Sequence, residues 1–230
     1  MQSVLRPASR PTSRLDGTHA LRVTEIFYSL QGEADTVGWP TVFVRLTGCP
    51  LRCHYCDTSY AFHGEQRMPE AAVVAAVSQY SARYVTVTGG EPMMQKGCVH
   101  LLATLCDAAY QVSLETSGAV DLSAVDSRVV KVMDIKTPGS GEMAKNRVAN
   151  IELLVAKDQV KFVICDRADY LWAVEQLGQH RLNERCQVLF GTSQGQLEDV
   201  VLADWILEDR LPVRFQTQLH KQLWGNMPGK

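Results

Sequence analysis

Three of the chain's seven cysteines, Cys49, Cys53 and Cys56, stand within the short stretch Cys-Pro-Leu-Arg-Cys-His-Tyr-Cys. This C-x3-C-x2-C spacing puts three thiolates on one compact loop, residues 48–60. Three thiolates can hold three irons of a cubane 4Fe–4S cluster, whereas most such clusters take four protein thiolates. A three-cysteine site therefore leaves one iron open for a small molecule. The same thiolates could instead hold zinc, with His54, His63 or His100 as a fourth ligand. Zinc ribbons usually carry two C-x2-C pairs, and one is visible here, so the spacing favours the cluster without excluding the ion. An odd cysteine count and this crowding speak against a disulfide framework. Cys98, Cys106, Cys165 and Cys186 fall in helix or strand patterns and read as buried small apolar residues.

The elements that must position this loop alternate along the chain. Strand-like runs rich in Val, Ile, Phe and Thr cover residues 21–27, 41–46, 84–88, 111–115, 129–135, 160–164, 187–190 and 213–216. Helix-like stretches cover 69–81, 97–109, 148–154, 168–177 and 196–207, with Pro69 suited to a first helical turn. Strand–helix–strand repetition predicts an α/β fold on a mainly parallel sheet. In such folds ligands sit at the carboxyl ends of strands, and the unusual motifs all fall there. Residues 30–33 follow the first strand, the cysteines the second and Gly89-Gly90-Glu91-Pro92 the third. Glu115-Thr116-Ser117-Gly118 and Lys136-Thr137-Pro138 follow the fourth and fifth, so one pocket could collect them all.

A formal charge of −2, from 23 basic and 25 acidic residues, gives no long-range attraction to nucleic acid or an anionic membrane. Apolar runs such as 42–44 are too short to span a bilayer. The N-terminus lacks the apolar segment of a signal peptide, so a cytoplasmic location is expected. Residues 1–19, with Arg6, Arg10 and Arg14 among Pro, Ser and Thr, read as a flexible or covering arm, and residues 20–230 as one core domain.

The cysteine loop, with aromatic Tyr55, resembles the signature of the radical S-adenosylmethionine superfamily. Thr88-Gly89-Gly90-Glu91-Pro92 resembles that superfamily's Gly-Gly-Glu-Pro motif. A narrower similarity runs through residues 25–33, 43–50 and 56–58, Glu115-Thr116-Ser117-Gly118 and residues 216–221. It is to the 7-carboxy-7-deazaguanine synthase family of queuosine biosynthesis, a tRNA modification pathway, and spans roughly residues 21–225. Ala34 departs from it, standing where the family has Gly, which leaves that loop less free to take positive φ.

The resemblance implies an abbreviated, partial α/β barrel of the radical type, usually a homodimer. It implies a carbon–nitrogen lyase contracting 6-carboxytetrahydropterin to 7-carboxy-7-deazaguanine with release of ammonia. The implied cofactors are a 4Fe–4S cluster, S-adenosylmethionine and magnesium, and the implied partner is a reductant such as flavodoxin or ferredoxin. It assigns the cluster to Cys49, Cys53 and Cys56 and magnesium to Thr58, a hydroxyl that suits a hard cation, although apart from the resemblance a loop-capping role is the favoured reading. Leu30, Gln31, Gly32, Glu33, Arg45 and Thr88 match substrate contacts, with Arg45 suited to pair a pterin carboxylate. Tyr55, Asp57, Gly90, Glu91, Asp134, Ile135, Lys136, Phe190, Gly191, Thr192 and Ser193 match cofactor contacts. Gln216, His220 and Lys221 are expected in a polar segment over the pterin. No side chain is assigned as catalytic, because the cofactor carries the radical chemistry. Other readings are a different radical enzyme such as a glycyl-radical activase, a zinc-bound binding scaffold, and an electron carrier. The first lacks a need for Gln31-Gly32-Glu33, and the last would make the large α/β body superfluous.

Overall fold

The computed structural model describes residues 20–64, 66–225, 227 and 229; the arm expected at 1–19 lies outside them. Strands β1 (Ala20–Leu30) and β2 (Pro40–Leu46) form an antiparallel pair, and β3 (Arg67–Pro69) flanks β1, also antiparallel. The rest of the sheet is parallel: β4 (Tyr84–Gly89), β5 (Gln111–Thr116), β6 (Val130–Asp134), β7 (Gln159–Ile164), β8 (Gln187–Thr192) and β9 (Arg214–Phe215). The order β3-β1-β2-β4-β5-β6-β7-β8-β9 leaves the sheet open, a partial barrel as expected. Helices α1 (Glu70–Ser78), α2 (Gly97–Asp107), α3 (Arg167–Gln179), α4 (Leu182–Arg185) and α5 (Asp199–Glu208) pack against its strands, and α6 (Leu219–Trp224) is the last helix among the described residues.

Alternation along the strands separates core from site. Side chains of successive strand residues point to opposite faces. Val42, Val44 and Leu46 of β2, Val85 and Val87 of β4, Val112 and Leu114 of β5, and Val160, Phe162 and Ile164 of β7 join the apolar core with the helices. Their neighbours Phe43, Arg45, Thr88, Glu115, Lys161 and Val163 line a cavity on the other face. Each core residue is nearly or wholly buried, at roughly 25 cal/mol per Å² of apolar area removed from water. The same packing that stabilises the sheet therefore fixes the direction of the polar side chains between.

Boundaries differ from the sequence expectation where side chains compete with the helix. Residues 148–154 form a 3-10 stretch, Val148–Leu153, and no α-helix. Buried Asn150 accepts from Leu122 N and donates to the carbonyls of Gly118 and Val120, pulling this segment onto the loop after β5. Helix α5 begins at Asp199, later than residue 196. Pro69 ends β3 and caps α1 from outside its first turn. Asp166 caps α3, accepting from Asp169 N at 2.9 Å.

Candidate active site

A cavity of about 250 Å³ opens at the carboxyl ends of β4–β8 and the connections after β1 and β2. Cys49, Cys53 and Cys56 all face it as free, half-buried thiols. Their loop is held from beneath: Gly90 N donates to Leu46 O at 3.1 Å and Glu91 N to Gly48 O at 2.8 Å. A Cβ on Gly90 would lie 2.2 Å from Gly48 O and 2.9 Å from the Cys49 Cβ, so glycine is required for this approach. Burial pushes all three thiols up, Cys53 to about 11, while the Lys136 ammonium works the other way.

The substrate-assigned residues share the cavity: Leu30, Gln31, Gly32, Glu33, Arg45 and Thr88 all line it. Gln31 Nε2 donates to Thr86 Oγ1 (3.1 Å) and Glu115 Oε1 (3.2 Å), and its Oε1 accepts from Glu33 N (3.2 Å). Thr88 Oγ1 donates to Glu115 Oε2 at 2.9 Å. Arg45 forms an ion pair, its Nε donating to Glu25 Oε1 at 2.7 Å, and it does so facing inward between the rings of Phe27 and Tyr60. Tyr60 OH donates to the same Glu25 oxygen.

Burial drives Glu33 up, but the Lys161 ammonium 2.6 Å away and a hydrogen bond from Gln218 outweigh it, so the carboxyl stays below its usual range. Glu115 is pushed up by burial and by the Glu33 charge. These two carboxyls thus differ because one has an ammonium partner and the other has hydroxyl and amide partners.

On the cofactor side Tyr55, Asp57, Gly90, Asp134, Lys136, Gly191, Thr192 and Ser193 line the cavity. Three assigned residues do not. Ile135 and Phe190 point into the core by strand alternation. Glu91 is fully buried beneath the pocket. Its oxygens accept from Thr116 Oγ1 (2.8 and 2.9 Å), Ser117 N (2.7 Å), Ser117 Oγ (2.5 Å) and Met93 N (3.0 Å). It braces the strand ends and offers the pocket no carboxylate.

Thr58 lines the pocket beside the cysteines, and its hydroxyl donates to Asp57 Oδ1 at 2.8 Å. It stands at the cap of the following turn without a capping hydrogen bond, so the loop-capping alternative is not what its side chain does. Gln216, His220 and Lys221 close the pocket's open side. Gln216 Oε1 accepts from Ala34 N (2.6 Å), Lys221 pairs with Asp57 (2.8 Å), and His220 packs over Gly32. Ala34 adopts φ 62° despite its Cβ, so this loop takes the left-handed geometry without glycine.

Glu115, Lys161 and Gln218 belong to the site although the sequence motifs assign them no contact. For Lys161 the signal was parity, a lone cation between core residues Val160 and Phe162.

The residues present suit a cluster with an organic cofactor beside it. Three thiols face one cavity, yet among the described residues no three His, Cys, Asp or Glu side chains converge as a single metal ion requires. Tyr55 OH and Asp134 Oδ1 are buried without hydrogen-bond partners. Such atoms cost about 1–3 kcal/mol each unless a ligand satisfies them, and both residues line this cavity.

An open α/β half-barrel with a three-cysteine loop at its strand ends defines a radical S-adenosylmethionine enzyme, and the sequence model of the Radical SAM superfamily matches residues 43–133. Its cofactors are accordingly a 4Fe–4S cluster and S-adenosylmethionine. The 7-carboxy-7-deazaguanine synthase of Chlorobaculum tepidum is 45% identical over 89% of this chain and 94% of its own. That of Koribacter versatilis is 41% identical over 89% and 97%. The chain belongs to the 7-carboxy-7-deazaguanine synthase family. The fold agrees: the crystal structure of QueE from Escherichia coli superposes with a TM-score of 0.73 at 19% identity, over 87% of this chain and 95% of that one.

Proposed function

We propose that this pocket contracts 6-carboxytetrahydropterin to 7-carboxy-7-deazaguanine with loss of ammonia, in queuosine biosynthesis. The observation that carries the reading is that the Gln31-Gly32-Glu33 loop and the three thiols share one cavity. When bound, the cluster and S-adenosylmethionine would supply radical hydrogen abstraction at the ring carbon that bears the carboxylate. The protein's part is to bind, orient and exclude water. Cys49, Cys53 and Cys56 hold the cluster. Asp134 and Tyr55 offer the cofactor polar atoms that nothing else satisfies. Arg45, set by Glu25 and Tyr60, faces the pterin carboxylate; Gln31, Glu33, Thr88 and Glu115 present a hydrogen-bonding wall to the heterocycle. Thr58 offers its hydroxyl to magnesium, and residues 216–221 cover the substrate. We place the enzyme in the cytoplasm as a homodimer reduced by a flavodoxin or ferredoxin. No helix among the described residues is long and apolar enough to cross a membrane.

The test is anaerobic turnover of the cluster-loaded protein with the pterin, S-adenosylmethionine, magnesium and a strong reductant. A product lighter by one ammonia, with many turnovers per S-adenosylmethionine, is expected. Cofactor cleavage with an unchanged pterin would leave a radical enzyme acting on some other substrate.

A further inference from the structure

Lys161 rises from the middle of β7 with its flanking residues in the core and its ammonium in the cavity. It lies 2.6 Å from Glu33 Oε2 and 3.7 Å from Asp134 Oδ2. The other Glu33 oxygen accepts from Gln218 Nε2 at 2.8 Å. Asp134 Oδ2 also pairs with Lys136 at 3.0 Å, and that ammonium stands 5.7 Å from the centre of the Tyr55 ring. Charges therefore alternate from Glu33 through Lys161 and Asp134 to Lys136. The first belongs to the substrate-assigned loop and the last two to the cofactor-assigned strand end. Lys161 is the link that touches both.

We infer that Lys161 is a positioning residue that couples the pterin and cofactor halves of the site, an inference that rests on the synthase reading. Its ammonium is shared unequally and leans toward Glu33. A pterin N–H donor that satisfies Glu33 weakens that hold and lets the ammonium move toward Asp134. Asp134 then needs Lys136 less, and Lys136 is released to meet an anionic group on the cofactor, such as a carboxylate. Each ligand in this way prepares the charges that the other meets. Two sites biased by one shared element must affect one another reciprocally. A brace without this role would weaken both ligands and leave their mutual dependence unchanged.

Calorimetric titration of 6-carboxytetrahydropterin into the cluster-loaded protein, with and without S-adenosylmethionine, reads the coupling without turnover. The wild type is expected to bind the pterin about 5-fold or more tightly when S-adenosylmethionine is present, at the low end of ordinary couplings. Lys161→Met should bring that factor to about 1 with iron content unchanged, while Lys161→Arg, a cation of similar reach, restores part of it. Should Lys161→Met misfold around its unpaired carboxylates, Lys161→Met combined with Glu33→Gln removes one of them and carries the same test. Wild-type coupling retained in the Met variant, or a wild-type factor near 1, overturns the inference and leaves the synthase reading standing. A wild type that binds no pterin overturns both.

Discussion

Gly90→Ala separates two reasons for a glycine at this turn. Its Cβ could collide with a bound cofactor, or with the protein itself. The structure assigns the collision to the cysteine loop, since the added carbon would sit 2.2 Å from Gly48 O, 2.6 Å from Gly48 C and 2.9 Å from Cys49 Cβ. Carbon contacts settle near 3.5–4.0 Å, so the loop must retreat by roughly 1 Å or more. Overpacking of this kind costs about 1–3 kcal/mol. The retreat also strains the bond from Glu91 N to Gly48 O, worth about 1 kcal/mol. The loop has little freedom to absorb this, because Gly48 and Gly89 already hold φ of 99° and 141°. A loss of about 2–4 kcal/mol is expected, centred on Cys49. The assay is iron per chain and thermal stability after reconstitution, before S-adenosylmethionine is added. Iron loading should fall and the midpoint should drop. Full iron and wild-type stability, with a defect only when S-adenosylmethionine is supplied, would refute the packing argument and return the role to ligand clearance.

Three further outcomes are expected. Cys49→Ala, Cys53→Ala and Cys56→Ala should each abolish the brown cluster absorbance, while Cys98→Ala, Cys106→Ala, Cys165→Ala and Cys186→Ala keep it, because these four lie outside the cavity. Thr58→Ala should lose turnover and its response to magnesium together, by on the order of 100-fold if the pterin shifts about 1 Å; Thr58→Ser should keep part of both, and a wild-type magnesium response in the alanine variant would move the ion elsewhere. Burial holds His220 below its usual 6.5, so the unfolded chain takes up this proton first as pH falls. The stability that neutral His220 contributes is then present above about pH 6.5 and lost through the window down to its lower folded value. Stability curves for the wild type and His220→Gln should converge on acidification, and parallel curves would show that the imidazole titrates normally.

The mainly parallel α/β sheet and the cysteine loop were legible because their signals are local. A three-thiol loop is one run of sequence, and Val-rich strands between Gly and Pro are read from their own residues. Individual contacts were less legible wherever a contiguous motif was carried onto a strand. Asp134, Ile135 and Lys136 are consecutive, but alternation sends Ile135 into the core while Asp134 and Lys136 reach the cavity. The Phe190 side chain turns into the core beside cavity-lining Gly191 for the same reason. The Glu91 carboxylate lies beneath the cavity for a different reason, because most of the donors that saturate it come from residues 116–117, far along the chain. The same alternation applied in reverse would have recovered Lys161, a charge between two core residues, Val160 and Phe162.

The segment least legible from sequence performs the closure that an open sheet requires. Residues 216–221 have no strong periodicity, yet four of their polar groups meet the loop after β1 or the cysteine loop. Leu219 N donates to Gly32 O at 3.0 Å, Gln218 reaches Glu33, and Lys221 pairs with Asp57. Gly191 permits the approach, since a Cβ there would lie 2.9 Å from Gln216 O. This accounts for the tolerance of Ala34. A left-handed alanine costs about 1–2 kcal/mol. Its N–H bond to Gln216 returns about 1 kcal/mol, and burial of its methyl about 0.8 kcal/mol, so the loop holds its shape without glycine. The geometry of the loop after β1 is therefore set from the far end of the chain, and a local reading of residues 30–34 could not contain it.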